Sequence, residues 1–276
     1  MKMRLKDGKL KVITLSYDDA VVQDIRLIEI MNKHGLKGTF NINTGLYFPE
    51  DSVREKFYGR MKLSEAKQLY LNSGQEIGVH ALTHPFLEKL DTTELIYEIT
   101  EDRKNIENQY GVIARGMAYP YGTYNDNVID VLEKCHIAYC RTIKETYTFN
   151  FPENWLKLHP TCHHNYEKLE ELIKNFVEIP NMWGNAEMFY LWGHSYEFDN
   201  DDNWEVIENF AKLAGGHEHI WYATNIEIYD YVKAYERLQT SFDKKIIHNP
   251  SAIDVWVDID GEVYCIKAGE TFKKCF

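Results

Sequence analysis

The chain has few cysteines, and they follow neither a disulfide nor a metal-binding spacing. Its 276 residues contain five, an odd number without a Cys-x-x-Cys pair, at positions 135, 140, 162, 265 and 275. This pattern indicates neither a disulfide framework nor a zinc ribbon. A reducing compartment is the simpler interpretation, and we expect a cytoplasmic protein.

Long hydrophobic runs are also missing. No stretch approaches the roughly 18 apolar residues of a membrane-spanning helix. Residues 1–8 lack the apolar segment of a secretory signal. We therefore expect no membrane partner, although a chain trimmed of its signal peptide would look the same.

Positive charge is scarce relative to negative charge. The chain has 31 Lys and Arg against 43 Asp and Glu, which gives a formal net charge of −12. Nucleic acids and anionic membranes bind cationic surfaces, so we expect neither as a partner, and a neutral substrate fits better. Hydrophobic residues make up 44% of the chain, enough for a substantial core in one large domain or two small ones.

Short β-rich runs alternate with longer segments of helical period, which is typical of parallel strands joined by crossover helices. Strands are predicted near 11–17, 37–42, 76–79, 115–119, 137–141, 155–158, 188–192 and 220–224. Helices are predicted over 24–33, 64–72, 92–109, 125–134, 168–176, 203–213 and 226–239. This alternation favours an α/β fold, a (β/α) barrel rather than an open sheet.

The pattern changes after residue 240. Alternating runs flank Asp260-Gly261, a dipeptide that favours the tight turn of a β-hairpin. We therefore expect two parts, a barrel over 1–240 and a small β-hairpin appendage over 241–276.

Two adjacent carboxylates are the strongest functional signal. Asp18 and Asp19 follow the apolar run at 12–15, and two anions this close repel each other unless a cation or a proton separates their roles. His80 and His84 follow another strand-like run, and residues four apart share one face of a helical turn. One carboxylate and two imidazoles would give a zinc-like ion three protein ligands and leave a position open for water or substrate.

Four groups of polar residues come directly after predicted strands. They are Asp18-Asp19, His80, Tyr119-Pro120-Tyr121-Gly122 and Trp192-Gly193-His194. Barrel enzymes assemble their sites at the carboxyl ends of the strands. The sequence therefore predicts that the four groups meet at one rim.

These segments resemble the successive motifs of the polysaccharide deacetylases with a NodB-homology domain, carbohydrate esterase family four. The motifs are, in chain order, Tyr17-Asp18-Asp19-Ala20, His80-Ala81-Leu82-Thr83-His84, Tyr119-Pro120-Tyr121-Gly122 and Leu191-Trp192-Gly193-His194. The resemblance implies a deformed (β/α) barrel of about seven parallel strands, a divalent metal that is usually zinc, and hydrolysis of acetyl groups from sugars.

The resemblance also implies a role for each motif residue. Asp19, His80 and His84 would hold the metal, and Asp18 would be the general base. His194 would be the general acid, and the backbone N–H of Tyr121 would face the developing oxyanion. The roles are chemically reasonable, because a bound metal lowers the pKa of water towards about 7 and an imidazole can protonate a leaving group near neutral pH.

The sequence departs from the family pattern at the arginine that pairs with the base. Many members carry this arginine just before the Pro-Tyr turn, where this chain has Ala118. Arg115 and Arg141 are the candidates to replace it. Arg141 is favoured, because Arg115 and Ala118 would face opposite sides of a strand.

A second departure concerns the carboxylate that orients the acid histidine. The Asp-Trp motif of the family reads Asn154-Trp155 here, and the residue after His194 is not Asp. Glu197, Asp199 and Asp202 are the candidates for this task.

Other residues have two interpretations each. His163-His164 could supply an extra ligand or simply be exposed. His217-Glu218-His219 precedes the strand at 220–224, at the end opposite the chemistry, so a solvated turn is expected. Four further groups are either substrate-facing or packed in the core, namely Met182-Trp183, Trp192, Tyr47-Phe48 and Phe57-Tyr58, the last two in the insert 46–61.

We therefore expect a metal-dependent hydrolase that removes acetyl groups from a saccharide, by de-N-acetylation or O-deacetylation. The alternatives are an amidohydrolase acting on a small non-sugar C–N substrate and a carbohydrate-binding relative that has lost turnover. The sequence does not decide the oligomeric state.

Overall fold

A curled parallel sheet forms the centre of the molecule. The computed structural model describes residues 1–53, 59–180 and 184–274. Its strands are β1 (Lys2–Arg4), β2 (Lys11–Asp18), β3 (Gly38–Ile42), β4 (Glu76–Val79), β5 (Gly116–Ala118), β6 (Tyr139–Arg141), β7 (Cys162–His163), β8 (Glu187–Gly193), β9 (Ile220–Tyr222), β10 (Gln239–Thr240), β11 (Ile246–His248), β12 (Val255–Ile259), β13 (Glu262–Ile266) and β14 (Thr271–Lys273).

Helices surround this sheet. They are α1 (Asp24–Lys33), α2 (Leu63–Ser73), α3 (Thr92–Tyr110), α4 (Asp126–Lys134), α5 (Leu169–Glu178), α6 (Glu197–Asn200), α7 (Glu205–Ala214) and α8 (Asn225–Glu236). The seven predicted helices are all present within a few residues of their expected bounds, and α6 was not predicted. Within the described ranges, no helix is both long and apolar enough to cross a membrane.

β2 is the central strand, and every one of its residues is buried. The sheet order is β6-β5-β4-β3-β2-β8-β7, with β9 also beside β2. β3 pairs with the carboxyl-terminal half of β2 and β9 with its amino-terminal half, while β8 runs along the other side. All these pairs are parallel, so the carboxyl ends of the strands lie at one rim, as in barrel enzymes.

The sheet curls far enough for the segment 158–161 to bridge β6, at one edge, and β8, next to the other edge. The backbone N–H of Leu158 donates to the carbonyl of Cys140 at 3.0 Å, and the N–H of Thr161 donates to the carbonyl of Tyr190 at 2.8 Å. The predicted strand at 155–158 was wrong, because Trp155–Lys157 forms a 3₁₀ turn and only Leu158 makes a bridge with β6. The prediction of a deformed (β/α) barrel is confirmed.

The side chain of Asn154 explains the wrong strand. It accepts a hydrogen bond from the N–H of Leu156 at 2.8 Å and so caps the 3₁₀ turn. An apolar pair such as Trp155-Leu156 is typical of a strand, but a local side-chain hydrogen bond offers the backbone an alternative.

The C-terminal hairpin is present. β12 and β13 pair on either side of Asp260 and Gly261, whose φ angles of 57° and 87° are those of a tight hairpin turn. β1 joins this hairpin through β12, and β10, β11 and β14 form a second small sheet. The N-terminal strand therefore belongs to the C-terminal sheet, and the division at residue 240 stays a prediction.

Four cysteines are free thiols, namely Cys135, Cys140, Cys162 and Cys265. Cys275 lies outside the described residues.

Candidate active site

The carboxyl ends of β2, β4 and β8 bring five predicted side chains together. Oδ2 of Asp18 lies 3.7 Å from Nε2 of His80 and 3.8 Å from Nε2 of His194. Oδ1 of Asp19 lies 4.0 Å from Nε2 of His84. The predicted convergence at one rim is what the structure shows.

Asp19, His80 and His84 have the spacing of metal ligands. One ligand atom from each lies within 4.8 Å of the other two. Oδ1 of Asp19 is buried and has no well-directed hydrogen bond among the described residues, although Nη2 of Arg60 is 2.8 Å away. A buried carboxylate oxygen with spare acceptor capacity is what a divalent ion requires.

The two histidines are prepared to act as neutral ligands. Nδ1 of His80 is 2.8 Å from the carbonyl oxygen of Ala118, which assigns its proton to Nδ1 and directs the lone pair of Nε2 into the site. Burial, and then the neighbouring His80, lower the pKa of His84 to about 4. Two neutral imidazoles and one carboxylate fit a zinc-like ion.

The backbone around these residues adopts conformations that side chains normally avoid. Positive φ angles occur at Asp19 (88°), Ala20 (52°), Ala81 (61°), His84 (57°) and Tyr121 (58°). Each such residue costs on the order of 1–3 kcal/mol, and such strain persists only where the surrounding structure fixes it. Its concentration at one rim indicates a functional site.

Buried polar side chains supply that fixation. The side chain of Asn43 donates to the carbonyl oxygens of His80 and Ala81. Asp102 accepts hydrogen bonds from the backbone N–H groups of His80, at 3.0 Å, and Thr44, at 2.8 Å. The loop that carries the two histidines is therefore held by one side chain that follows β3 and one from α3.

Asp18 is buried as an ion. Nη2 of Arg141 donates to Oδ2 of Asp18, and Nδ2 of Asn41 donates to Oδ1 at 2.9 Å. Burial opposes the charge, but Arg141, His80 and His194 outweigh it and lower the pKa of Asp18 to about 2. The side chain is therefore unprotonated, and able to accept a proton, throughout the neutral range.

Arg141, and not Arg115, occupies the position beside Asp18. Arg115 pairs instead with Asp230, at 2.6 Å and on the outside of the barrel. The guanidinium of Arg141 lies 4.5 Å from the ring centre of Trp192. Trp192 is 8% exposed, so it supports Arg141 rather than offering a wall to a sugar.

Glu197 orients His194. Its Oε1 is 3.1 Å from Nδ1 of His194, and its Oε2 accepts from the backbone N–H of the same residue at 3.2 Å. Burial disfavours the imidazolium, but Glu197 and Asp18 raise the pKa of His194 above its usual value. Of the other predicted candidates, Asp199 bonds to Gln23 and Trp204 instead.

Tyr121 lies in a turn on the far side of His84. Hydrogen bonds from the N–H groups of Gly122 and Thr123 close this turn, so it does not use the N–H of Tyr121. The ring of Tyr121 meets the edge of His84 at a centroid distance of 4.5 Å and stacks on Phe86 at 3.9 Å. Tyr121 and Phe86 are 48% and 38% exposed, so the aromatic pair borders the site at the surface.

Sequence reasoning missed several residues of the site. Asp102 had a visible signal, because it falls on the apolar face of α3 with Leu95, Ile99 and Ile106, where an aspartate needs an explanation. Arg60 had no signal in the sequence, since it lies in the insert 46–61 and only the folded chain brings it next to Asp19.

The remaining candidates lie apart from the first metal-type group. His163 and His164 gather around Glu197 instead. Tyr47 packs inside, with its hydroxyl 2.7 Å from that of Tyr110. The ring nitrogens of His217 and His219 bond to backbone carbonyls at the opposite end of the barrel. Four predicted contacts lie outside the described residues, namely Phe57, Tyr58, Met182 and Trp183.

Comparisons with known proteins agree with this geometry. The family model described as polysaccharide deacetylase matches residues 6–140, which include Asp18, Asp19, His80, His84 and Tyr121. The peptidoglycan-N-acetylglucosamine deacetylase PgdA of Listeria monocytogenes is 26% identical over 124 residues, 44% of this chain and 23% of that protein. The chain therefore spans about a quarter of the length of the curated relatives that it matches.

Solved structures share the fold. A protein described as a putative polysaccharide deacetylase from Mycobacterium smegmatis has a TM-score of 0.60 at 15% identity, covering 86% of this chain and 95% of that one. A family 4 carbohydrate esterase pseudoenzyme from Bacillus anthracis has a TM-score of 0.50 at 16% identity, covering 79% and 65%. By its ordered motifs, its deformed barrel and the match over residues 6–140, this chain is similar to the polysaccharide deacetylase family.

Proposed function

We propose that the chain is a metal-dependent hydrolase that removes acetyl groups from a saccharide. The observation that carries this proposal is the position of Asp18. Its ionised carboxylate lies within 4 Å of both His80, in the metal-type group, and His194, the candidate acid. A base and an acid on either side of one space, next to a group that fits a divalent ion, suit hydrolysis of an acyl bond.

Asp19, His80 and His84 would hold the ion, and zinc is expected because the donors are two imidazoles and one carboxylate. When bound, such an ion polarises an acyl oxygen and acidifies a water molecule. The chain's own residues do the rest of the chemistry.

Asp18 would accept a proton from the water molecule as the water oxygen adds to the carbonyl carbon of the acetyl group. Arg141 keeps Asp18 ionised and fixes the carboxylate in position for this transfer. The backbone N–H of Tyr121 would donate a hydrogen bond to the carbonyl oxygen as negative charge develops on it.

His194 would then protonate the leaving nitrogen as the C–N bond breaks, giving acetate and a free amine. Its hydrogen bond to Glu197 holds the ring, so that Nε2 faces Asp18 and the reacting space. A positioned acid of this kind contributes about 10²–10⁴ in rate.

An N-acetylated saccharide is the substrate that we propose first, because the relative PgdA is named for removing the acetyl group of N-acetylglucosamine in peptidoglycan. An O-acetylated sugar would need the same groups, with an alcohol as the leaving group. We further propose a cytoplasmic location, which would favour a short oligosaccharide over a cell-wall polymer.

The test is acetate release from N-acetylglucosamine oligomers by zinc-loaded protein, before and after chelation. Chelator-sensitive release that zinc restores is expected. Because a pseudoenzyme shares this fold, the fold by itself is no evidence for turnover. Folded, metal-loaded protein that releases no acetate from N- or O-acetylated saccharides would contradict the proposal and direct the search to small amide substrates.

A further inference from the structure

A second group of two imidazoles and one carboxylate lies on the other side of His194. It consists of His163 at the end of β7, His164 directly after it, and Glu197 at the start of α6. Oε2 of Glu197 lies 3.1 Å from Nε2 of His163 and 3.0 Å from Nε2 of His164. We call these three residues the Glu197 group.

His164 is the unusual member of the Glu197 group. Its side chain is fully buried, yet neither ring nitrogen has a hydrogen-bond partner of good geometry among the described residues. The short contact with Glu197 therefore does not lie along an N–H direction. A buried imidazole without a well-directed hydrogen bond is costly and needs an explanation.

Packing holds the ring of His164 in this position. Tyr17 stacks on it at a centroid distance of 5.8 Å. The centre of the Phe198 ring lies 4.2 Å from the centre of the His164 ring. A Cβ added at Gly193 would lie 2.1 Å from Nδ1, so that edge of the ring touches backbone. Nε2 is thus the nitrogen left to face Glu197.

We propose that the Glu197 group binds a second divalent transition-metal ion. Two ligands of one tetrahedral zinc ion, each about 2.0–2.2 Å from it, lie about 3.3–3.5 Å apart, and their lone pairs point at the ion rather than at each other. The contacts of Glu197 with His163 and His164, at 3.1 and 3.0 Å, lie within about 0.5 Å of this spacing. The donors are also the same in kind as those of Asp19, His80 and His84.

The two oxygens of Glu197 divide their work. Oε1 accepts from Nδ1 of His194, whereas Oε2 faces His163 and His164 and also accepts from the backbone N–H of His194. An ion on Oε2 would fix the carboxylate and thereby fix the ring of His194. Glu197, His163 and His164 would then be positioning residues for the proposed acid, whereas ion binding itself is independent of the proposed function.

The test is a metal-binding titration, which needs no substrate. Protein stripped with a chelator is titrated with Zn²⁺ by calorimetry, and bound zinc is counted by elemental analysis after gel filtration. Wild type should bind two ions, and His84→Ala and His163→Ala should bind one each. His248→Ala, on β11 of the small C-terminal sheet, is the matched histidine control and should bind two.

Two results would overturn the proposal. One is a single bound ion in saturated wild type, and the other is two ions retained by His163→Ala. Thermal melting shows whether each variant is folded. If His163→Ala does not fold, the His84→Ala protein decides the matter alone, because it must still bind one ion with only the Glu197 group intact.

Discussion

The rim of the barrel has two halves that use the same kinds of side chain and hold them in different ways. In the half built on β2 and β4, Asp19, His80 and His84 lie on or beside strained turns that buried polar side chains fix. In the half built on β7 and β8, aromatic packing fixes His164, and Glu197 gathers three imidazoles. Preorganisation can therefore come from hydrogen-bonded backbone in one half and from packing in the other.

The first prediction asks whether the two halves differ in importance. His84→Ala should lose the ion held by Asp19, His80 and His84, keep the one in the Glu197 group, and release no detectable acetate, because the acyl group is no longer polarised. His163→Ala should lower kcat by only about 10- to 100-fold, as expected for a residue that supports another. Steady-state kinetics with zinc content measured on the same samples would check both, and equal losses would refute the distinction.

The second prediction separates the base from the ion inside the first half. Asp18→Asn should lower kcat by about 10²–10⁴ while zinc content stays at the wild-type level. The amide cannot take a proton from water, yet Asp19, His80 and His84 keep their donors. Loss of zinc in Asp18→Asn, or turnover close to wild type, would count against the assignment.

The first half of the rim could be predicted from the sequence because its candidate ligands lie within short motifs. Asp18 and Asp19 end one strand, and His80 and His84 stand four residues apart after another. The second half could not be predicted, because residues that are distant in the chain form it. His163-His164 and Glu197 are unremarkable singly, and only the pairing of β7 with β8 brings them together.

Elements with strong local signals were also predicted well. α1 has its predicted bounds, and Asp260-Gly261 forms the expected turn. The segment 155–158 failed because a single side-chain cap outweighed its apolar character. Arg60 could not be found at all, since nothing in the insert 46–61 shows that it reaches Asp19.

The third prediction measures how strongly the first half depends on its buried ion pair. Arg141→Met should destabilise the fold by about 3–5 kcal/mol, because the buried carboxylate of Asp18 is left unpaired. The control is Arg115→Met, whose partner Asp230 lies at the surface, so its loss should cost less than about 1 kcal/mol. Urea unfolding would measure both, and a double variant Asp18→Asn/Arg141→Met should recover part of the loss.

The last prediction concerns Asp24, a buried carboxyl on α1 that contacts the second half of the rim. Its carboxyl accepts hydrogen bonds from Ser195, next to His194, at 2.5 Å and from Tyr70 at 2.6 Å. Burial raises the pKa of Asp24 to about 7, and these neutral hydroxyls offset the burial only in part. An aspartate in the unfolded chain has a pKa of about 3.9. Between about pH 3.9 and 7, therefore, Asp24 keeps a proton in the folded state that it has already lost in the unfolded chain.

Between these two pKa values the folded state binds more protons than the unfolded state, so stability must fall as the pH rises through this window. The contribution of Asp24 should decrease by about 2 kcal/mol between pH 5.5 and 7.5. Asp24→Asn should remove this part of the slope, because the amide carries no titrating proton. Urea unfolding of both proteins across the range would measure the difference, and parallel curves would show that Asp24 is already ionised in the fold.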